Sequence, residues 1–429
     1  MKINSLRLQN FRCFEDITIE LNPTLNVIIG NNGVGKTTVL DALAVGIGSL
    51  FLGIDSCTSP NIKKTDVRSV SSKLGSVIDR QPQYPAVISC SGKIGDEEIT
   101  WTRYLNTESG RTTYGDANNI KNIAAELQNR VRKGDASADL PLISYYGTGR
   151  LWAQLRESST KQINNRFAGY MDCLSSESNE RLMLKWFEKM TYIQLQNNEP
   201  IPELQAVNNA IVECYNESGV KAKDIKAGFN VKSHQLEISY TDENNNSQIH
   251  PFHELSDGYR NTLCLVADIA YRMAILNPQY LGNVTKKTSG VVLIDEIDLH
   301  LHPTWQKSIL KTLRKIFPLV QFIVTTHSPS VISSAKAENL FILDGNSCKS
   351  FDYEVYGKDV NSVLYEVMKT SDRPDEVNGM FKEFEDHMDK GDYISAEKTL
   401  NELRKLVGEN DSGVVSATVA LDFEKDWGD

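Results

Sequence analysis

The chain has 429 residues, 40% hydrophobic and 24% charged, with a net charge of −10, which allows roughly two or three domains around a substantial core. That balance is ordinary for a globular protein and excludes one that coats nucleic acid over its whole surface. Seven cysteines are scattered without a C-x-x-C pair, so neither a zinc site nor a disulfide framework is indicated and a reducing cytoplasm is the expected setting. No apolar run of about 18 residues reads as a membrane span, and the N-terminus lacks a secretory pattern.

Residues 3–21 alternate apolar and polar through Ile3, Leu6, Leu8, Phe11, Phe14, Ile17, Ile19 and Leu21, which predicts a two-stranded hairpin with one buried face. A short buried strand, Leu25 to Ile29, runs into Gly30-Asn31-Asn32-Gly33-Val34-Gly35-Lys36-Thr37-Thr38. That stretch matches the phosphate-binding loop G-x-x-x-x-G-K-[ST] at every fixed position, and a helix is expected from Thr38 to Ala44. Its glycines let backbone N–H groups and the helix N-terminus point at a triphosphate. Lys36 would reach the β- and γ-phosphates of ATP, and the Thr37 hydroxyl would ligate Mg²⁺.

From Phe51 to about Ser76 the chain is irregular and holds Lys63, Lys64 and Arg68, which reads as a solvated surface insertion. Val87 to Tyr104 alternates around Gly92 and Gly95, a second hairpin in an antiparallel layer. Leu140 to Tyr146 is a buried strand entering Gly147-Thr148-Gly149-Arg150. Residues 160–220 are expected to be helical, with Leu182, Leu184, Trp186, Phe187 and Met190 packing a core. Residues 228–250 then offer two short strands around a turn at Asp242 to Asn246. Sustained heptads are absent, so no long coiled coil is expected.

A helical run from Asn261 to Leu276 is opened by Leu255-Ser256-Asp257-Gly258-Tyr259-Arg260 and stopped at Pro278, and Ser256 suits a helix N-cap. Val291 to Ile294 is a buried strand that delivers Asp295 and Glu296 at its end. Unpaired buried carboxylates are expensive, so two acids there point to function. Asp295 would hold Mg²⁺, and Glu296 would orient or deprotonate an attacking water. Ile297-Asp298-Leu299-His300-Leu301-His302-Pro303 follows, its His-x-His without companion metal ligands at useful spacing. A further buried strand, Gln321 to Thr326, ends in His327.

In this order the motifs resemble the head of an ABC-type ATPase over residues 1–345, on the RecF/SMC side of that superfamily. The resemblance implies an α/β fold, a mixed sheet with an antiparallel layer and a helical lobe inserted at about 155–255. It makes Arg12, within Leu8-Gln9-Asn10-Phe11-Arg12-Cys13-Phe14, an adenine-side candidate, with an exposed strand-edge arginine as the plain alternative. Arg150 and Gln154 become candidate sensors in the loop joining the lobes. Ser256 and Gly258 would face the γ-phosphate bound by a second copy, Asp298 would be the acid of the loop crossing between copies, and His327 would be the switch histidine. Asp257 and Tyr259 depart from the commoner LSGGQ signature, away from transporters. The working unit implied is a dimer of heads or a higher homo-oligomer.

The remainder, 346–429, reads as a helical hairpin. Pro374 opens one helix with Val377, Phe381, Phe384 and Met388 on one face, and Gly391 closes it. Ala396, Leu400, Leu403 and Val407 form a second apolar face, free either to pack on the head or to dock a partner, and the acidic end from Leu421 to Trp427 suits a short docking peptide. With Tyr145 to Trp152 and Asp295 to Pro303, this tail resembles the small stand-alone bacterial ATPases that include PtuA of the Septu antiphage system. That resemblance implies a separate HNH-type nuclease, PtuB-like, as partner, and a link to retron reverse transcriptase and its RNA–DNA. The AriA ATPase of the PARIS system is a competing resemblance and implies a Toprim-type effector. In the OLD family a Toprim nuclease is fused to a similar head, but only about 85 residues follow Leu343 here with no acidic metal cluster, so none is expected within this chain. A RecF-like repair ATPase acting directly on DNA is the alternative from another class.

Overall fold

The computed structural model describes residues 1–429 except 75, 152–164, 176–179, 221, 352, 372 and 428–429. Two compact units result, Met1–Lys358 and Asp359–Asp429.

In the first unit, β1 (Lys2–Phe11) and β2 (Phe14–Glu20) form the expected hairpin, and β3 (Leu25–Ile29) leads into helix α1 (Lys36–Ile47). The 51–76 stretch is less irregular than its composition suggests. Its end forms β4 (Ser69–Leu74), paired antiparallel with β5 (Val77–Pro82). Serines and lysines on an exposed ribbon carry no period-two apolar signal, so this hairpin was invisible to pattern reading. Strands β6 (Ala86–Ile94) and β7 (Glu97–Leu105) turn at Gly95 and join the first hairpin in a sheet of order β2-β1-β6-β7.

Helix α2 (Asn118–Arg132) precedes β8 (Leu142–Tyr146). The helical lobe holds α3 (Glu180–Asn197) and α4 (Pro202–Asn216). Three strands follow rather than two: β9 (Lys223–Asn230), β10 (Gln235–Thr241) and β11 (Ser247–Pro251). β9 begins with Lys223 and Asp224, polar positions that hide it in the sequence. Helix α5 (Asp257–Leu276) then leads to β12 (Gly290–Ile294), α6 (Ile309–Ile316), β13 (Val320–Thr325), β14 (Leu340–Asp344) and β15 (Ser347–Ser350). Because β15 pairs with β14, residues 346–358 lie with the first unit.

The central sheet has order β15-β14-β3-β13-β12-β8, parallel except for β15. Strands β3, β8, β12 and β13 are buried at every residue, as parallel strands covered on both faces must be. Helix α1 packs between this sheet and the antiparallel one, and the Trp101 indole donates to the Gly46 carbonyl at 2.8 Å. Apolar enough over 36–53 to pass for a membrane span by length and composition, that segment is 83% buried in the core, the usual state of a helix that is apolar all round.

Among the described residues of the second unit, short helical turns at Val360–Ser362 and Val363–Val367 precede three longer helices, α7 (Asp375–Asp389), α8 (Tyr393–Val407) and α9 (Ser412–Trp427). The acidic end is therefore a helix rather than a loose peptide. Asp411 accepts backbone N–H bonds from Gly413 and Val414 at its start, and Val414, Ala417 and Leu421 recur at helical spacing. They close over Val377, Phe384, Ala396, Leu400 and Leu403, so the apolar face of the hairpin is covered within its own unit. Replacing the fully buried Leu400 by alanine leaves a cavity there, and Leu400→Ala should cost about 2–5 kcal/mol of unfolding free energy, read by chemical denaturation.

Candidate nucleotide-binding site

The parallel register sets the level of the site. Ile28 of β3 lies opposite Thr325 of β13, and Ile294 of β12 lies opposite Val324 and Tyr146. Four adjacent strands thus end within about a residue of one another, and their loops emerge at one edge, where parallel α/β sheets bind ligands.

After β3, the phosphate loop turns into α1 through Gly35, which has a left-handed φ of 105°. A Cβ there would lie 2.6 Å from Cys13 Sγ and from the Phe14 ring, so the turn of the first hairpin seats the loop. Asn31, Asn32 and Gly33 are exposed, Val34 is half-buried, and Thr38 is buried at the start of α1. The Lys36 ammonium donates to the carbonyls of Gly30 and Asn31 at 2.9 and 3.0 Å. Burial pushes its pKa down, against the pull of Asp295, Glu296 and Asp298.

Asp295 is 2% exposed. One carboxylate oxygen accepts from the Thr37 hydroxyl at 2.8 Å, and the other accepts from the Thr325 hydroxyl at 2.6 Å. The Thr325 oxygen also accepts the Glu296 N–H at 2.8 Å. Glu296 is half-buried with a left-handed φ of 47°, a backbone strain that non-glycine residues keep where function demands it. The next threonine, Thr326, donates to Asp298 at 2.5 Å. Asp298 is thereby oriented by a side chain of its own site. Burial and then the Lys36 charge lower the pKa of His327, against the three carboxylates.

Thr325 and Thr326 were missed by motif reading. The available signal was a pair of hydroxyls directly before the strand-end histidine, on the strand beside the carboxylates.

Ser256 stands at the N-cap position of α5, but its exposed hydroxyl makes no capping bond. Gly258 is where the loop touches the segment after β12, because a Cβ there would lie 2.5 Å from the His300 carbonyl oxygen. Tyr259 packs on Trp305 with ring centroids 4.6 Å apart. His302 accepts the Thr304 N–H at 3.3 Å as a local helix cap.

Arg12 has its guanidinium between Asp41 of α1, at 2.6 Å, and Asp66, at 2.9 Å, with 33% of the side chain exposed. Tyr145 donates to the same Asp41 at 2.8 Å. Its neighbour Tyr146, on the opposite face of β8, donates to Asp268 of α5 at 2.6 Å, and Asp268 pairs with the buried Arg272 at 2.7 Å. The Arg150 side chain, Trp152 and Gln154 lie outside the described residues.

An oxygen donor set at Thr37 and Asp295 beside a lysine-bearing glycine loop fits Mg²⁺ with a nucleotide triphosphate. Removing the central hydroxyl tests this arrangement. Thr325→Val should lower ATP turnover by about tenfold or more and cost about 1–3 kcal/mol of stability, because a buried carboxylate loses its partner. Steady-state ATPase assays and denaturant melts check the two effects.

A family profile described as an AAA domain matches residues 5–218. The retron Ec83 probable ATPase of Escherichia coli is 25% identical, covering 99% of this chain and 89% of that protein. The retron Vc95 probable ATPase of Vibrio cholerae is 27% identical, over 91% and 84%. Septu protein PtuA of Bacillus thuringiensis is 24% identical, over 85% and 80%. Among solved structures, an SMC head bound to the C-terminal winged-helix domain of ScpA aligns with a TM-score of 0.50 at 16% identity, covering 82% of this chain and 98% of that one.

The chain is similar in sequence to the retron probable ATPases and to Septu protein PtuA, and it shares the fold of an SMC head.

Proposed function

We propose that this protein is the ATP-hydrolysing subunit of a bacterial antiphage defence complex, acting in the cytoplasm, and that its nucleotide state controls a separate HNH-type nuclease. The observation that carries the enzymatic part is the convergence of Lys36, Thr37, Asp295, Glu296, Asp298 and His327 at one sheet edge. The relatives named for retron and Septu systems support the defence part.

In this reading the Gly30–Thr38 loop and Lys36 hold the β- and γ-phosphates of ATP. Thr37 and Asp295 would hold Mg²⁺, which supplies charge neutralisation at the β- and γ-oxygens. Glu296 takes a proton from the attacking water, and a ring N–H of His327 donates to the γ-phosphate oxygens. The base lies on the Arg12 side, where the exposed third of that side chain is available to it. The uncapped Ser256 and the N-terminus of α5 serve the γ-phosphate of a second copy, so two ATP sites form between two heads.

Glu296→Gln keeps the size of the side chain and removes its basicity. It should leave ATP binding intact, slow hydrolysis by about 10²–10⁴-fold and accumulate ATP-bound dimers, read by radiolabelled ATP turnover and light scattering. Pull-down of that variant with ATP should retain a small nuclease whose nicking follows the nucleotide state. ATP- and salt-dependent binding of DNA by the pure protein, with no protein partner, would replace this reading by a RecF-like one.

A further inference from the structure

The net charge of −10 is not spread along the chain. Met1–Lys358 carries 38 acidic and 38 basic residues, whereas Asp359–Asp429 carries 18 acidic and 8 basic. The whole excess therefore sits on the small three-helix unit.

That unit also exposes large apolar side chains along one helix. Val415, Val419 and Phe423 of α9 are 48%, 63% and 56% exposed. Their i, i+4, i+8 spacing sets them in one row along about 12 Å of helix. With Met388, Ala420 and Glu424 they line an open groove of about 540 Å³. Helix α7, which supplies Met388, carries Glu383, Glu385, Asp386 and Asp389 in its last two turns. On α9, Asp422 and Glu424 flank Phe423, while Lys425 is turned away to pair with Glu397 of α8 at 2.8 Å.

We propose that this groove docks a basic amphipathic helix of a partner protein, its apolar anchors one turn apart in the groove and its lysines or arginines facing the acidic helices. An anchor row of this length matches two to three turns of a helix laid in a groove. A second copy of the unit would bring two strongly acidic surfaces together, which like-charge repulsion opposes. Nucleic acid and anionic lipid are repelled for the same reason. A basic helix alone satisfies both the apolar row and the charge. The proposal rests on the reading of the chain as a subunit with a protein partner and names the chemistry of that contact.

The test titrates the full-length protein with a fluorescent helical peptide bearing leucines at i, i+4 and i+8 flanked by lysines, against the same peptide with glutamates in place of the lysines. The lysine peptide should bind at least about tenfold more tightly, and Val419→Gln with Phe423→Gln should weaken it about tenfold. Both positions are exposed, so fold and ATP turnover should stay unchanged in the double variant, checked by circular dichroism and an ATPase assay. Equal binding of the two peptides, or binding untouched by the double substitution, would overturn the proposal. So would a drop in oligomer mass on double substitution, which would assign the stripe to a second copy. An inactive ATPase with peptide binding intact would instead count against the nucleotide reading.

Discussion

One buried carboxylate organises the head. Asp295 sits at the end of β12 with its two oxygens bonded to threonines from two different segments, Thr37 of the phosphate loop and Thr325 of β13. Burying a charge costs several kcal/mol unless it is paired and hydrogen-bonded. The arrangement is stable here because both hydroxyls are donors and Lys36 lies within electrostatic reach. Loop, β12 and β13 are therefore fixed relative to one another, and Glu296 and His327 inherit their positions from it.

A second layer of contacts ties this centre to the rest of the unit. Tyr145 and Tyr146 are consecutive on β8, so their side chains leave opposite faces of the sheet. One reaches Asp41 on α1, and through it Arg12 and Asp66. The other reaches Asp268 and Arg272 on α5, the helix that Ser256 opens. Breaking a buried pair such as Asp268–Arg272 typically costs 3–5 kcal/mol. The strand beside the carboxylate strand thus connects the phosphate-loop helix to the helix that would address a second nucleotide. Gly258 adds a steric link, since its loop rests on the His300 backbone with no room for a side chain.

Much of this was legible before any coordinates. The phosphate loop, the two carboxylates and the strand-end histidine announce themselves because continuous apolar runs and charged or polar side chains occur at fixed short spacings. The pairing of Arg12 with Asp41 and Asp66 was not legible, because partners 29 and 54 residues apart leave no local trace. Thr325 was hidden by being an ordinary strand residue whose role depends on which strand lies next to it. The β4–β5 hairpin has no buried face to write an alternating pattern. Helix α9 was masked because its apolar residues face both ways, Val414, Ala417 and Leu421 inward and Val415, Val419 and Phe423 outward. The average charge concealed the division between an electrically balanced head and an acidic three-helix unit.

The central claim is that each ATP site combines the phosphate loop of one copy with the Ser256 loop of another. Two variants that are each inactive, Lys36→Ala and Ser256→Arg, test it when they are co-expressed and purified together. The account predicts restored ATP hydrolysis in the mixed assembly, because one intact composite site is rebuilt between an unaltered Lys36 and an unaltered Ser256. A mixed assembly that forms and remains as inactive as either parent would contradict it.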